Sequence, residues 1–166
     1  MRICQLDKDF TMAAAALTSD LCNCFAVRSA ARHVTQLYDQ LLAPTGLRTT
    51  QYSILRKLSR MGPLTINRLA DEMVMDRTTL GRNILPLERD GLIRIEPSSE
   101  DRRAKELHVT KTGEKRMRAA TKAWSEAQTQ FETKFGGRRA ADLRTLLRAV
   151  VATNFEAQGA RPAPSR

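Results

Sequence analysis

At Gly91 the hydrophobic period of this chain changes from that of a helix to that of a strand, and the residues on either side of that point leave few folds open. Before it lie two short helical stretches, each announced by a capping residue. Thr65 precedes Ile66, Leu69, Ala70 and Met73, and Asp76 precedes Leu80, Ile84 and Leu87, so each is expected to act as an N-cap by accepting a backbone N–H at the start of its helix. Met75 and Leu80 are placed as a hydrophobic staple across the first turn of the second helix. Gly91 suits the residue that ends it. Two extended runs follow, 92–96 and 106–110, separated by the polar and charged stretch 97–103, which reads as a hairpin with a charged tip.

The flanks are helical. From Asp20, taken as the N-cap, Leu21, Cys24, Phe25, Ala31, Val34, Leu37, Tyr38, Leu41 and Leu42 recur at helical spacing until Pro44 and Gly46 stop them. Tyr52, Leu55 and Leu58 mark a second helix, with Arg48, Arg56, Lys57 and Arg60 around it, closed by Gly62 and Pro63. Beyond Thr112, Met117, Trp124 and Phe131 interleave with Thr121, Gln128 and Phe135 at about 3.5 residues per turn, the period of a helix lying along another helix. After Gly136 and Gly137 a final helix carries Leu143, Leu146, Leu147, Val150, Val151 and Phe155 on one stripe. Long apolar helices at both ends of a small domain need a partner to cover them, and a homodimer supplies one. The chain is therefore expected to divide into an N-terminal extension (1–19), a first dimerisation helix (20–47), a central lobe (48–112), C-terminal dimerisation helices (113–158) and a disordered tail (159–166).

Composition narrows the function. With 166 residues, 42% hydrophobic and only 5% aromatic, the chain has material for one core and leans towards helix, a mainly α class with a small β element. Its net charge of +10 attracts polyanions. That excess is unevenly placed: residues 1–47 sum to zero, 48–110 to +3 and 111–166 to +7. Three cysteines, Cys4, Cys22 and Cys24, form no even framework, and no apolar run approaches a membrane span, so a reducing cytoplasm is expected, with no membrane partner. No nucleophile elbow, phosphate-binding glycine loop or His-carboxylate constellation is present, and the two histidines leave little for acid-base chemistry; no enzyme activity and no cofactor are expected.

Two small constellations suit duplex DNA. Arg77, Thr78, Gly81 and Arg82 lie at i, i+1, i+4 and i+5 of the helix that begins after Asp76, on a face separate from Leu80, Ile84 and Leu87. Arginine can pair with guanine, threonine can bond a base edge or touch a thymine methyl, and Gly81 lets a backbone approach. At the hairpin tip, Arg102 and Arg103 suit a minor groove, with Asp101 placed to hold one guanidinium. Pro86 lacks an N–H inside the recognition helix and is expected to kink or loosen its second half.

Taken in order, residues 62–70, 75–80, 87–93 and the wing 101–103 running into 107–113 resemble the MarR family of bacterial regulators, a likeness covering about residues 20–155. The resemblance implies a winged helix-turn-helix dimer joined through its long N- and C-terminal helices. One recognition helix would enter each major groove of a palindromic operator, and a wing each flanking minor groove. It makes Arg77, Thr78, Thr79 and Arg82 recognition-helix contacts, Thr65 a phosphate contact and Arg103 the wing arginine. The function it implies is a transcriptional regulator, taken as a repressor released by a small organic effector.

The trigger admits two readings. Arg28, His33, Tyr38 and Tyr52 offer aromatic platforms and a cation for a small aromatic or anionic effector. Alternatively, Cys22-Asn23-Cys24-Phe25-Ala26 resembles the sensing helix of the organic hydroperoxide resistance regulators, in which Cys24 would be the oxidised thiol and Tyr38 one of its tyrosines. The chain departs from that branch where Thr49 stands in place of a second tyrosine. As a free cysteine of ordinary kind, Cys24 would instead be a small buried hydrophobe. Cys22, Cys24 and His33 are too few and too poorly spaced for zinc, and no metal is expected.

Overall fold

The structure, a computed structural model, describes residues 21–98 and 103–155. In chain order the elements are α1 (Asn23–Leu42), α2 (Thr49–Met61), β1 (Leu64–Thr65), α3 (Ile66–Met73), α4 (Arg77–Arg89), β2 (Ile93–Pro97), β3 (Lys105–Val109), α5 (Lys111–Phe135) and α6 (Gly137–Ala152), with a short 3-10 turn, Ala43–Thr45, after α1. The described chain divides into two compact units, the first running to Ala127 and the second beginning at Gln128. Among the described residues no helix is long and apolar enough to cross a membrane.

The first unit is a winged helix-turn-helix. Its core takes Leu42 and Leu47 from the α1 end, Tyr52, Ile54, Leu55 and Leu58 from α2, and Leu69 and Ala70 from α3. Leu80, Ile84 and Leu87 of α4, Leu92 and Ile93 at the start of the wing, Leu107 of β3, and Met117 and Ala120 of α5 complete it. Each fully buried leucine is worth about 2 kcal/mol of transfer free energy, and together they fix how α4 lies against α2 and the sheet. The inward face of α4 is the one its sequence period marks.

The sheet has the order β1-β3-β2, all antiparallel. The hairpin is the expected one, with Ile93 opposite Val109 and Pro97 opposite Lys105. The third strand, β1, is a finding of the structure: Leu64 pairs with Leu107 and Thr65 with Glu106. Two residues are too few to show alternation, so β1 owes its extended form to β3 and not to its own pattern.

Where wing, α4 and α5 meet, five residues close a knot of four hydrogen bonds. The Leu92 N–H donates to Leu87 O at 2.8 Å, and the Thr110 N–H to Leu92 O at 3.0 Å. The Thr110 hydroxyl donates to Gly91 O at 2.7 Å and accepts the Gly113 N–H at 3.0 Å. Gly91, at φ +67°, turns the chain out of α4 in a conformation that L side chains avoid. Gly113 is required for a different reason: a Cβ there would fall on the Leu92 carbonyl oxygen and lie 3.0 Å from Val109 Cγ1.

Both hairpin strands sit one residue nearer the tip than the expected runs 92–96 and 106–110, and two helix features differ from the sequence expectation as well. α1 begins at Asn23, capped by Cys22, whose Sγ accepts the Phe25 N–H at 3.4 Å; Asp20, the expected cap, lies outside the described residues, as do 1–19 and the tail 159–166. α4 continues through Pro86 to Arg89. The proline removes only the bond to the Arg82 carbonyl, and the Asp90 N–H still closes on Pro86 O at 3.0 Å.

The second unit joins the end of α5 to α6. Phe131 and Phe135 stack with centroids 5.3 Å apart, Arg139 lies 4.6 Å over the Phe135 ring, and Arg144 bonds Glu132 at 2.9 Å. The apolar stripe expected of the final helix is present and uncovered within one chain: Leu146, Leu147, Val150 and Val151 are all exposed. In the first unit, Phe25 and Val27 of α1 are exposed as well.

The knot at Gly113 gives a direct test. Gly113→Ala forces the Leu92 carbonyl to move, and is expected to cost about 3 kcal/mol, read as a lowered midpoint in urea unfolding. Gly137→Ala, with open space at its Cβ, should leave that midpoint nearly unchanged.

Candidate nucleic-acid interface

The two caps form as their residue types require. The Thr65 Oγ1 accepts the Arg68 N–H at 3.2 Å, and the Asp76 Oδ1 accepts the Thr79 N–H at 2.8 Å. Side-chain and backbone hydrogen bonding from Thr79 holds the Asp76 carboxyl below its ordinary range, against a smaller opposing effect of burial. Thr65 itself is half-buried, at the point where β1 passes into α3.

That cap fixes the first turn of α4, and with it the outward face. Arg77, Thr78, Thr79 and Arg82 are all exposed, and nothing lies within 4 Å of the Cβ position at Gly81. Thus the recognition-face residues expected from the sequence are brought onto one accessible helix surface, with Leu80, Ile84 and Leu87 anchoring the opposite one. Between α3 and α4, Val74 adopts φ +52°, a conformation strained for a β-branched residue, which makes the sharp turn between the two helices.

The wing contributes less of its expected set. Arg103 lies exposed in the turn that leads into β3, whereas Asp101 and Arg102 fall outside the described residues. The turn is closed behind the tip: the Ser98 N–H donates to Ala104 O at 2.8 Å, and the buried Ser98 hydroxyl to Glu106 Oε1 at 2.7 Å. Along one face of the hairpin, Arg94 bonds Glu96 at 2.9 Å, and His108 Nε2 stands 3.7 Å from Glu96 and 3.6 Å from Glu106.

The residues proposed for an effector are scattered. Arg28 and His33 lie exposed on α1, while Tyr38 is buried further along that helix. Tyr52 is buried, donates to Thr121 Oγ1 at 3.3 Å and stacks on Trp124 with centroids 6.1 Å apart. It borders a cleft of about 330 Å³ whose other walls are Ser53, Arg56, Lys57, Arg60, Met73 and Trp124. The cations beside Tyr52 are therefore Arg56 and Arg60, missed by the sequence reading, although their i+4 and i+8 spacing from Tyr52 was the available signal. Lys57, on the same wall, is tied to Glu72 at 3.1 Å, and this bond is the leading reason the Glu72 carboxyl sits below its ordinary range.

Cys24 and Cys22 are free and exposed, so the expectation of a buried Cys24 is not met within the chain. Among the described residues nothing buries the first turns of α1. Tyr38 stands about 21 Å along the same helix from Cys24 by helical rise.

Comparison with known proteins follows the geometry. Residues 47–105 match the model of the MarR family. The chain is 29% identical over 90 residues to the organic hydroperoxide resistance transcriptional regulator of Bacillus subtilis (strain 168), a match covering 54% of this chain. It thus spans 61% of the length of that curated relative. Among solved structures, the M. tuberculosis transcriptional regulator MosR is 33% identical with a TM-score of 0.69, covering 82% of this chain and 100% of that one. The same regulator solved in complex with DNA is 34% identical with a TM-score of 0.68, covering 79% and 97%.

The Asp76 cap carries a pH signature. A carboxyl held below its ordinary range stabilises the fold at every pH above that range, and the contribution is lost as pH falls through the lowered value. Asp76→Ala is therefore expected to melt a few degrees below the unsubstituted chain at about pH 7, with the gap narrowing at about pH 3. Asp76→Asn, which still caps, should melt close to the parent at neutral pH.

Proposed function

Because the chain belongs to the MarR family of transcriptional regulators, we propose that it binds a palindromic DNA operator as a homodimer in the cytoplasm and represses transcription there. The observation that carries this reading is the face of α4. Four exposed polar residues, Arg77, Thr78, Thr79 and Arg82, stand on a helix whose other side is locked into the core. Arg77 and Arg82 supply bidentate donors for guanine edges, and Thr78 and Thr79 supply hydroxyls and methyls. Thr65, its acceptor engaged by Arg68, retains a hydroxyl proton for a phosphate oxygen. Arg103 enters the flanking minor groove; Arg102 and Asp101, which precede it in the sequence and lie outside the described residues, are expected to assist it. The DNA complex of MosR, 34% identical over most of this chain, supports the assignment.

Dimerisation rests on the uncovered stripes. A helix exposing Leu146, Leu147, Val150 and Val151 along one side presents the kind of apolar patch that marks a protein interface. A second copy brings a like stripe to meet it, consistent with an isologous contact. Regulation then follows from any ligand that favours one spacing of the two α4 helices over another. The cleft beside Tyr52 and Trp124, with Arg56 and Arg60 at its edge, suits a small aromatic anion, and is the effector site we favour over the group Arg28, His33 and Tyr38.

A second trigger is favoured by one specific observation: the exposed thiol of Cys24, in a chain similar to a regulator named for organic hydroperoxide resistance. Oxidation there would act on α1, the helix placed to join the dimer.

The DNA reading is tested by fluorescence anisotropy with duplex from upstream of the chain's own gene. Tight binding that weakens steeply with salt is expected. Arg77→Ala and Arg103→Ala should each weaken it by roughly tenfold or more; no binding by the parent chain would remove the reading. The trigger is settled by adding peroxide to the bound complex. Release that Cys24→Ser abolishes assigns it to the thiol, whereas unchanged binding leaves the cleft. Ligand entry to that cleft should quench Trp124, the single tryptophan of the chain.

A further inference from the structure

Leu85 is the one exposed large apolar side chain of α4, at 63% exposure, and it stands in the middle of the face described above. Helical residues advance by about 100° each, which places Leu85 within the arc spanned by Arg77, Thr78, Gly81 and Arg82, about 12 Å further along the axis than Arg77. The inward leucines, Leu80 and Leu87, lie on the other side. Because α4 continues unbroken past Pro86, Leu85 shares the same rigid surface as the first-turn residues.

Its neighbours give it a shape to work with. Side chains on a helix lean towards its N-terminus, over the preceding turn. One turn before Leu85 is Gly81, and the space where a side chain would stand at Gly81 is open. By helix geometry Leu85 and Thr78 flank this open position one turn to either side, with Arg82 next to it, which leaves a shallow notch over the Gly81 backbone. The apolar group that B-form DNA presents in its major groove is the C5-methyl of thymine. A leucine in the centre of an otherwise polar reading face matches that group and no other on a base edge.

We propose that Leu85 is a specificity-determining residue that reads one thymine methyl in each half-site, received in the notch over Gly81. This rests on the reading of α4 as the DNA-contacting helix. It adds a contact that neither bidentate arginine pairing nor phosphate binding supplies.

The test separates the two claims. Full-length protein is used to select binding sites from a randomised duplex library, and each thymine of the selected duplex is then replaced singly by deoxyuridine, which removes only the methyl. For the parent chain, one thymine per half-site should lose about fourfold in affinity, the worth of one buried methyl group. Leu85→Ala should bind the thymine duplex about fourfold more weakly and show no further loss with deoxyuridine at that position. Arg77→Ala, the control, should weaken binding yet keep the thymine preference. If deoxyuridine costs nothing at any position, or costs Leu85→Ala as much as the parent, the Leu85 proposal is overturned while DNA binding stands. If no sequence is enriched at all, the DNA reading falls and this one with it.

Discussion

The Thr110 hydroxyl, shared between the Gly91 carbonyl and the Gly113 N–H, ties together three parts of the chain that must keep a fixed relation. Gly91 ends α4, Leu92 begins the wing, and Gly113 lies in the first turn of α5. The absence of a side chain at Gly113 lets that turn close onto the Leu92 carbonyl. Bonds of this kind are short and directional, so the junction resists small rotations that a purely apolar contact would allow. A shift of α5 at this point would reach α4 and the wing together, the two elements proposed above to meet DNA.

On that junction the core adds orientation. Leu80, Ile84 and Leu87 set the rotation of α4 about its own axis, Asp76 sets where its first turn begins, and the strained Val74 sets the angle at which it leaves α3. The outward face is then a consequence of the inward one. Electrostatics has a narrower part than the net charge of +10 suggests, because most of that excess belongs to residues 111–166. A basic chain approaches DNA faster; on the function proposed above, which DNA it holds is decided by a few side chains on one helix and the wing.

How much of this could be read beforehand follows from the range of each interaction. The caps at Thr65 and Asp76 act over three residues, and the inward face of α4 repeats within one helix, so both were legible in the sequence. β1 was not, since two residues take their form from a partner some forty positions away. Nor was the cleft: Tyr52 meets Thr121 and Trp124 across about seventy residues, and the choice of Arg28 and His33 followed residue type, with nothing in the sequence to say that the cleft is walled by α2, α3 and α5. Cys24 shows a third limit. Its exposure reflects a helix face with no cover among the described residues, and burial inferred from the habits of free cysteines assumes a cover that the proposed dimer would supply. Leu85 lies in the half of α4 that Pro86 is expected to kink or loosen, where the structure keeps the helix whole.

The central claim is that two copies each present α4 and its wing to DNA as a single unit. Hydroxyl-radical footprinting of the full-length protein on a duplex it has selected tests this most directly. Two symmetry-related protected half-sites are expected, with centres about 10 base pairs apart and further protection on their outer flanks where the wings lie. A single unpaired zone, or half-sites whose spacing is not close to a whole helical turn, would contradict it.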